Sequence, residues 1–277
     1  MKFLGLVVAV LMLTPGSTSA AGQDCAGPDE TSCFLESALI HARVASLDAR
    51  ISTLIEIAAL HAAAGDLEGA RHLFGEALAG LPEGGEPVSR FTTLRHLARR
   101  QAESGFKEEA TTRLREAAAI ARKALEDSKD PAWLGWGRSL QSVALSLARQ
   151  DDRHSAMAAL QTIIATIAEI DDVGRRYTEY VVLAGPAAKH GLTEAATAAF
   201  AAAWTEGERM TDARERLFSL LAVAEEQWKA GLLPEARRNL EIVKSRAFTE
   251  DGITDREGLL ALVNLRLYQV AAGVRFD

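Results

Sequence analysis

The chain is poor in residues that interrupt helices or favour sheets. Only 7 of its 277 residues are proline, and aromatic residues make up 6%. Proline breaks helices and aromatic and β-branched residues favour strands, whereas alanine, leucine, glutamate and arginine enter helices at little cost. A hydrophobic content of 48% also excludes an intrinsically disordered chain. The composition therefore predicts an all-α globular protein.

Cysteine is scarce as well, and both copies stand near the N-terminus. Seven residues separate Cys25 from Cys33, whereas a redox pair has the spacing C-x-x-C. In an oxidising compartment such a close pair forms a disulfide, which contributes about 2–3 kcal/mol in the loop-entropy description. We expect a structural disulfide that ties an N-terminal arm to the first helix.

Long apolar runs are absent apart from Phe3–Leu13, which follows Lys2. Small residues stand at the −1 and −3 positions of a cleavage after Ala20 or Ala21, as signal peptidase requires. Eleven helical residues rising about 1.5 Å each do not cross a hydrocarbon core of about 30 Å, so a retained membrane anchor is the weaker interpretation. We predict a signal peptide at 1–20 and a periplasmic or secreted protein with no membrane span after cleavage.

Positive charge is in deficit. The net charge is −7, and it becomes −8 once Lys2 leaves with the signal peptide. Nucleic-acid binding requires a local excess of lysine and arginine to neutralise phosphates. We therefore expect no nucleic-acid partner.

One phrase of nine residues recurs along the chain. It reads AAAGDLEGA at 62–70, AESGFKEEA at 102–110, AKHGLTEAA at 188–196 and AKAGLLPEA at 228–236. The glycines are 40, 86 and 40 residues apart, and the long interval contains one more unit centred on Asp151. Gly273 begins a sixth unit that the chain leaves half finished. We call these six positions the turn residues: Gly65, Gly105, Asp151, Gly191, Gly231 and Gly273.

Around each turn residue the same positions carry the same kind of side chain. Larger apolar residues stand eleven and eight before it and nine after it, and alanine stands seven before and five after. The alanines are Ala58, Ala98, Ala144, Ala184 and Ala224 before, and Ala70, Ala110, Ala156, Ala196 and Ala236 after. Glycine ends a helix in the left-handed conformation, and alanine lets two helix axes approach to about 8–10 Å. Each unit therefore predicts a helical hairpin, and the sixth has Arg266 where alanine is expected.

This combination of glycine, alanine and large apolar positions resembles the tetratricopeptide repeat over residues 48–277. The resemblance implies an α-solenoid of about five helical hairpins plus a closing helix at 255–272. We expect this TPR-like domain to span 31–277, with a lone helix at 31–47 in front of the first hairpin and an N-terminal arm at 21–30. The period of about 40 departs from the family, and so does the lack of its aromatic residues at most first-helix positions.

The resemblance also implies a concave groove lined by the first helix of each hairpin. The middle of this groove is basic, because four of its five candidate positions are arginines: Arg95, Arg99, Arg138 and Arg149, together with Gln141. A cationic groove suits an acidic peptide or a free C-terminal carboxylate, since arginine pairs with carboxylates through two parallel hydrogen bonds. The alternative is that these are ordinary solvated helix charges. Trp133 and Trp136, at the start of the third unit, predict either a contact site or packing under the preceding helix.

An arginine also recurs fifteen residues before the turn residue. The four are Arg50, Arg90, Arg176 and Arg216. The helix dipole disfavours a cation in the first turn, so a compensating partner is expected. Either each arginine bridges to a carboxylate of the adjacent hairpin, or the four form a ladder that faces a ligand. Asp172 and Asp212 are expected to cap two of these helices.

Motifs for catalysis or cofactor binding are missing. The six histidines form no H-E-x-x-H pair, and the sequence contains no G-x-S-x-G motif, no phosphate-binding glycine loop after a strand and no cysteine nucleophile. We therefore expect no enzyme activity, cofactor or metal. The function predicted from the sequence is an exported helical-repeat scaffold that binds a protein or peptide in its concave groove. A small-ligand sensor that uses the same groove is the alternative.

Overall fold

The computed structural model describes residues 30–82, 84–127, 133–251, 253 and 255–274. All regular elements within these residues are α-helices, which group into two compact units, Met1–Gly80 and Leu81–Asp277. The predicted signal peptide at 1–20 and the arm, apart from Glu30, lie outside the described residues. None of the described helices is long and apolar enough to cross a membrane.

The described part of the first unit contains three helices: α1 (Glu30–Val44), α2 (Leu47–Ala63) and α3 (Leu67–Ala79). Helices α2 and α3 form the first hairpin, and α1 packs against α2, as expected for a lone helix in front of the repeats. Leu54, Ile55 and Ala58 of α2 and Ala70 of α3 are fully buried. The hairpin therefore has an apolar core of its own.

The second unit contains four further hairpins and a closing helix. Its helices are α4 (Pro87–Glu103), α5 (Lys107–Asp127), α6 (Trp133–Arg149), α7 (Arg153–Ala168), α8 (Val173–Lys189), α9 (Thr193–Glu208), α10 (Ala213–Lys229), α11 (Leu233–Thr249) and α12 (Arg256–Ala271). The first helices α6, α8, α10 and α12 lie side by side in that order, and the second helices α5, α7 and α9 do the same. The predicted α-solenoid of hairpins with a closing helix is thereby confirmed.

The turn between the two helices of a hairpin is the same in every repeat. All six turn residues have positive φ, from 64° at Asp151 to 89° at Gly65. The next residue donates its N–H to the carbonyl five positions back, as in Phe106 to Gln101 at 2.8 Å and Asp152 to Leu147 at 3.0 Å. This is the Schellman bond that ends a helix, and it explains why glycine recurs here.

The alanine columns lie where the two helices of a hairpin cross. All ten alanines are buried, with exposed fractions of at most 1%. The larger apolar residues eleven before and nine after the turn residue are buried as well, among them Leu94, Leu140 and Phe200. The predicted close packing is confirmed, because a larger side chain at an alanine position would push the helix axes apart.

Candidate partner-binding face

The first helices of the second unit, α4, α6, α8, α10 and α12, supply the surface that we call the first-helix face. An aromatic contact joins its first two members. The rings of Phe91 on α4 and Trp136 on α6 are 5.5 Å apart and meet edge to face at 81°. Trp136 is half-buried in this contact with α4, whereas the packing interpretation named the preceding helix, α5, so both interpretations of Trp136 stay predictions. The side chain of Trp133 lies outside the described residues.

Arg95 and Arg99 lie one turn apart on α4, and both are exposed. The Arg95 guanidinium carbon lies 5.7 Å from the centroid of the Phe91 ring, and within the described residues neither arginine forms an ion pair. Like charges four residues apart destabilise a helix by about 0.2–0.5 kcal/mol. Helix α4 therefore presents two cations that repel each other and that have no carboxylate partner among the residues the structure describes.

The predicted groove residues of α6 are engaged differently, because all three reach across to α8. Arg138 Nη2 lies 3.3 Å from Glu179 Oε1, and Gln141 Nε2 donates to the Val182 carbonyl at 3.2 Å. Arg149 Nε donates to His190 Nε2 at 3.1 Å. These side chains link neighbouring hairpins, so the structure separates them from Arg95 and Arg99 rather than placing all five in one cationic cluster.

The ring of His190 contacts both its own helix and the neighbouring hairpin. Its Nε2 lies 3.1 Å from Arg149 Nε, and its Nδ1 lies 3.0 Å from the Pro186 carbonyl oxygen. Arg149 therefore meets a histidine ring and not a carboxylate.

Further along the first-helix face two of the charged side chains are compensated by a carboxylate of the same face. Arg266 Nε lies 2.5 Å from Glu225 Oε1, and Lys229 Nζ lies 2.6 Å from Glu226 Oε1. The Tyr177 hydroxyl donates to the Ser219 carbonyl at 2.9 Å, and burial raises the pKa of Tyr177 to about 12. Within the described residues Arg149 of α6 and Arg214 of α10 also lack a carboxylate partner, and α4 differs in presenting two such arginines one turn apart.

The recurrent arginines, fifteen residues before the turn residue, make contacts that stabilise the fold rather than face a free surface. Arg176 Nη2 binds Glu206 at 2.6 Å, and its Nη1 donates to the carbonyls of Ile170 and Asp171. Arg216 repeats this arrangement with Glu250 at 3.2 Å and the Met210 carbonyl at 2.6 Å. The carboxylate comes from the second helix of the same hairpin or from the residue after that helix, not from the adjacent hairpin as expected.

The other two members of this column make simpler contacts. Arg50 Nη2 lies 3.1 Å from Glu76 of its own hairpin, and Arg90 Nη1 donates to the Pro82 carbonyl at 2.8 Å. Asp172 and Asp212 accept from the backbone N–H groups of residues 175 and 215 at 2.6 Å and 2.7 Å, which confirms both predicted caps. Arginine, carboxylate and backbone carbonyls are thus combined in the fourth and fifth hairpins, whereas Arg50 binds a carboxylate and Arg90 a backbone carbonyl.

A groove of about 860 Å³ lies in the first compact unit, between the end of α1 and α3. Its lining carries both signs of charge, with Arg43, Arg71 and His72 beside Glu68 and Glu76. Burial alone would raise the pKa of the Glu76 carboxyl. Hydrogen bonds from Arg50 and Arg43 outweigh burial and hold that pKa below its usual range. None of the residues that line this groove belongs to the first-helix face.

Two further observations concern possible metal ligands and the cysteines. Among the described residues, no three histidine, cysteine, aspartate or glutamate side chains are grouped so as to hold a metal ion. Cys33 is half-buried in α1, while Cys25 lies outside the described residues. The Cys25–Cys33 disulfide therefore stays a prediction.

Sequence reasoning missed two features of this surface. It did not identify Glu206 and Glu250 as the partners of the recurrent arginines, since their distance from the turn residue varies with the length of the second helix. It also missed the link from Gln141 to α8. The sequence did contain a signal for that link. Pro186 stands inside a helix and has no N–H, so the carbonyl of Val182, four residues earlier, lacks its usual donor.

Comparison with known proteins adds similarity of structure only. No family model matches the chain, and no curated protein matches it. Among solved structures, BtubC (BKLC) from P. vanneervenii has 16% identity and a TM-score of 0.40 over 80% of this chain and 92% of that one. Ton1535 from Thermococcus onnurineus NA1 has 15% identity and a TM-score of 0.39 over 86% of each chain.

A circular tandem repeat protein has 18% identity and a TM-score of 0.38, over 88% of this chain and 62% of that one. Likeness at this level carries no function from these proteins to this chain. The helices, turns and packing described above make the chain an all-α helical-repeat protein, and its relation to the tetratricopeptide repeat stays a resemblance.

Proposed function

We propose that this protein is an exported helical-repeat scaffold that binds an acidic segment of a partner protein or peptide at the α4 end of its first-helix face. One observation carries the proposal: Arg95 and Arg99 are exposed, adjacent and without a carboxylate partner within the described residues. On the same face, Arg138 of α6, Lys229 of α10 and Arg266 of α12 each have a carboxylate partner.

The chemistry of the two arginines favours a carboxylate ligand. A guanidinium presents parallel N–H donors that match the two oxygens of a carboxylate, and charge-assisted bonds of this kind are about twice as strong as neutral ones. A bound acid would also relieve the repulsion between the two cations. The negative net charge of the whole chain makes this local preference selective, because acidic segments are repelled elsewhere.

The test compares charge reversal on α4 with the same reversal on a second helix. Arg95→Glu/Arg99→Glu is paired with Arg237→Glu/Arg238→Glu on α11, which changes the net charge equally at two exposed arginines. Binding of labelled acidic peptides, with either a free or an amidated C-terminus, is measured by fluorescence anisotropy against lysine-substituted peptides. We expect the α4 variant to weaken binding at least about tenfold and the α11 variant to leave it unchanged. Equal effects of the two variants would refute the α4 site.

Two results would separate the possible carboxylate sources. Loss of affinity on amidation alone identifies the C-terminal carboxylate as the recognised group, whereas loss only on removal of acidic side chains identifies those side chains. Retention of affinity by the lysine-substituted peptides would contradict recognition of an acid.

The export half of the proposal rests on the signal-peptide pattern at 1–20 and on the close cysteine pair. The chain is expressed with its own N-terminus in a bacterial host, and the periplasmic and cytoplasmic fractions are separated. We expect a periplasmic product whose N-terminus is Ala21 or Gly22, as read by mass spectrometry. A full-length cytoplasmic product would contradict export.

A further inference from the structure

Helix α12 is the first helix of a repeat that, within the described residues, has no second helix. The consequence for burial is seen at the position eight residues before the turn residue, which is Gly273 in this unit. In the five complete hairpins this position is buried, with exposed fractions of 0–3%: Ile57, Leu97, Val143, Leu183 and Val223. In the sixth unit the same position holds Leu265, which is 49% exposed. Within the described residues the sixth unit thus exposes an apolar position that the five complete hairpins bury.

The exposed apolar surface of α12 is a continuous row, which we call the α12 stripe. It consists of Ala261, Leu265, Tyr268 and Ala272, and all four are exposed, Tyr268 by 69%. The opposite side of the helix is buried against the rest of the unit through Leu259, Leu260, Val263 and Val270. The intervals of four, three and four residues match the seam of a coiled coil, and no member of the stripe is charged. A helix that is apolar on both sides is normally covered on both.

Arg266 determines which kind of helix can cover this surface. It occupies the position that is alanine in the five complete hairpins, where two helices approach most closely. Its guanidinium is held by Glu225 at 2.5 Å and lies 5.9 Å from the centroid of the Trp228 ring. A helix packed as in the other hairpins would collide with this side chain. The covering helix must therefore lie along the α12 stripe beside Arg266.

We infer that the α12 stripe is a dimerisation surface on which a second copy of this chain pairs its own α12 in the antiparallel direction. The order of residues along the stripe is small, large, large, small, so it reads alike in both directions. A two-fold axis between Leu265 and Tyr268 places Leu265 opposite Tyr268 of the other copy and Ala261 opposite Ala272. The commonest symmetric dimers use such a self-complementary patch. The stripe is uncharged on a chain of net charge −7, so two copies meet there with the least repulsion.

The first test measures the oligomeric state of the mature full chain by sedimentation equilibrium over a range of concentrations. We expect a dimer for the wild type and a dissociation constant at least about 100-fold weaker for Leu265→Glu/Tyr268→Glu. Val88→Glu/Leu233→Glu introduces the same charges at two exposed apolar residues outside the stripe and should leave the dimer intact. A monomeric wild type, an unaffected stripe variant or equal loss in the control would each overturn the proposal. Circular dichroism verifies that each variant retains its helix content.

The second test keeps the stripe apolar and examines the direction of pairing. Copies carrying Ala261→Cys are mixed with copies carrying Ala272→Cys and oxidised, with the wild type as background for the native cysteines. Antiparallel pairing predicts a cross-linked heterodimer from the mixture. Either variant alone should cross-link little, because the same residue in the two copies then lies about eleven residues, or 16 Å, apart along the seam. Cross-linking of each variant with itself would show parallel pairing and refute the geometry. A wild type that cross-links equally would also refute it.

Discussion

The Gln141 side-chain amide donates to the backbone carbonyl of Val182, at 3.2 Å, across the boundary between two hairpins. Val182 is four residues before Pro186, which has no N–H and so cannot make the helical bond to that carbonyl. The neighbouring helix thus supplies a donor that α8 itself lacks. A proline that would weaken an isolated helix becomes the origin of a specific contact between repeats.

This relationship predicts that the effects of changing Gln141 and Pro186 are coupled. Gln141→Ala should lower the free energy of unfolding by about 1 kcal/mol, because it leaves a half-buried carbonyl without its donor. In a Pro186→Ala background the same change should cost close to nothing, since residue 186 then donates to Val182. Urea denaturation of the four proteins in this double-mutant cycle measures the coupling. Equal costs in the two backgrounds would show that the link does not depend on the proline.

The buried ion pair between Arg176 and Glu206 predicts a large effect of removing the arginine. Both side chains are nearly buried, with exposed fractions of 12% and 9%, and the guanidinium also satisfies two backbone carbonyls. Glu206 keeps Arg209 as a second partner at 2.8 Å, so Arg176→Met should destabilise the protein by about 2 kcal/mol, chiefly through the lost charge-assisted hydrogen bonds. Arg237→Met, which breaks an exposed pair with Glu241 in the same compact unit, should cost less than about 1 kcal/mol. Similar costs for both variants in denaturant titrations would exclude a structural role for the recurrent arginine.

Asp151 predicts a stabilising substitution. It is the only turn residue that is not glycine, and its φ of 64° lies in the left-handed region. Asp151→Gly should raise the free energy of unfolding by up to about 1 kcal/mol, because a side chain is strained there. Gly105→Ala, at a φ of 88°, should lower it by about 1 kcal/mol. Thermal unfolding of the two variants checks the opposite signs, and a stabilising Gly105→Ala would contradict the turn description.

Asp152 predicts an acid-sensitive contact between two hairpins. Burial alone would raise the pKa of its carboxyl, but hydrogen bonds from the Arg115 side chain and from the Ser155 side chain and N–H outweigh burial and lower that pKa. A carboxyl with a lowered folded pKa stabilises the protein fully above its unfolded pKa of about 3.9 and loses that contribution as the pH falls through the folded pKa. Asp152→Asn should therefore destabilise the protein near neutral pH.

The pH dependence of that variant is the decisive measurement. The difference in unfolding free energy between the wild type and Asp152→Asn should shrink as the pH falls from about 5 towards 3, because the wild-type carboxyl becomes protonated. Asp251→Asn, at an exposed carboxylate, provides a comparison for the general effect of removing one charge. A difference that stays constant over this range would show that the Arg115–Asp152 bridge does not contribute.

Much of the fold could be predicted from the spacing of a few residue types. Glycine at the turn and alanine at the crossing are imposed by backbone and packing geometry within one hairpin, so they recur at constant offsets and can be read without coordinates. Even Asp151, which breaks the glycine pattern, was placed by its neighbours and has the expected positive φ. The two N-caps at Asp172 and Asp212 were predictable for the same local reason.

The candidate site was predictable only as a set of positions. The same offsets that located Arg95 and Arg99 also located Arg138, Gln141 and Arg149, and the sequence treated all five alike. The structure separates them, because whether a cation is free depends on what the next hairpin places opposite it. Glu179 and His190 stand about forty residues further along the chain, and no local pattern connects them to α6.

The sequence by itself determined the helical hairpin, its turn and the number of its repeats, since each depends on interactions between residues close together in the chain. Only the tertiary structure decided which charges are compensated, which carboxylate each recurrent arginine binds and which face of α12 is left uncovered. These depend on the side-by-side stacking of hairpins, where helix length and a single proline change the partner of a side chain without changing the repeat that carries it.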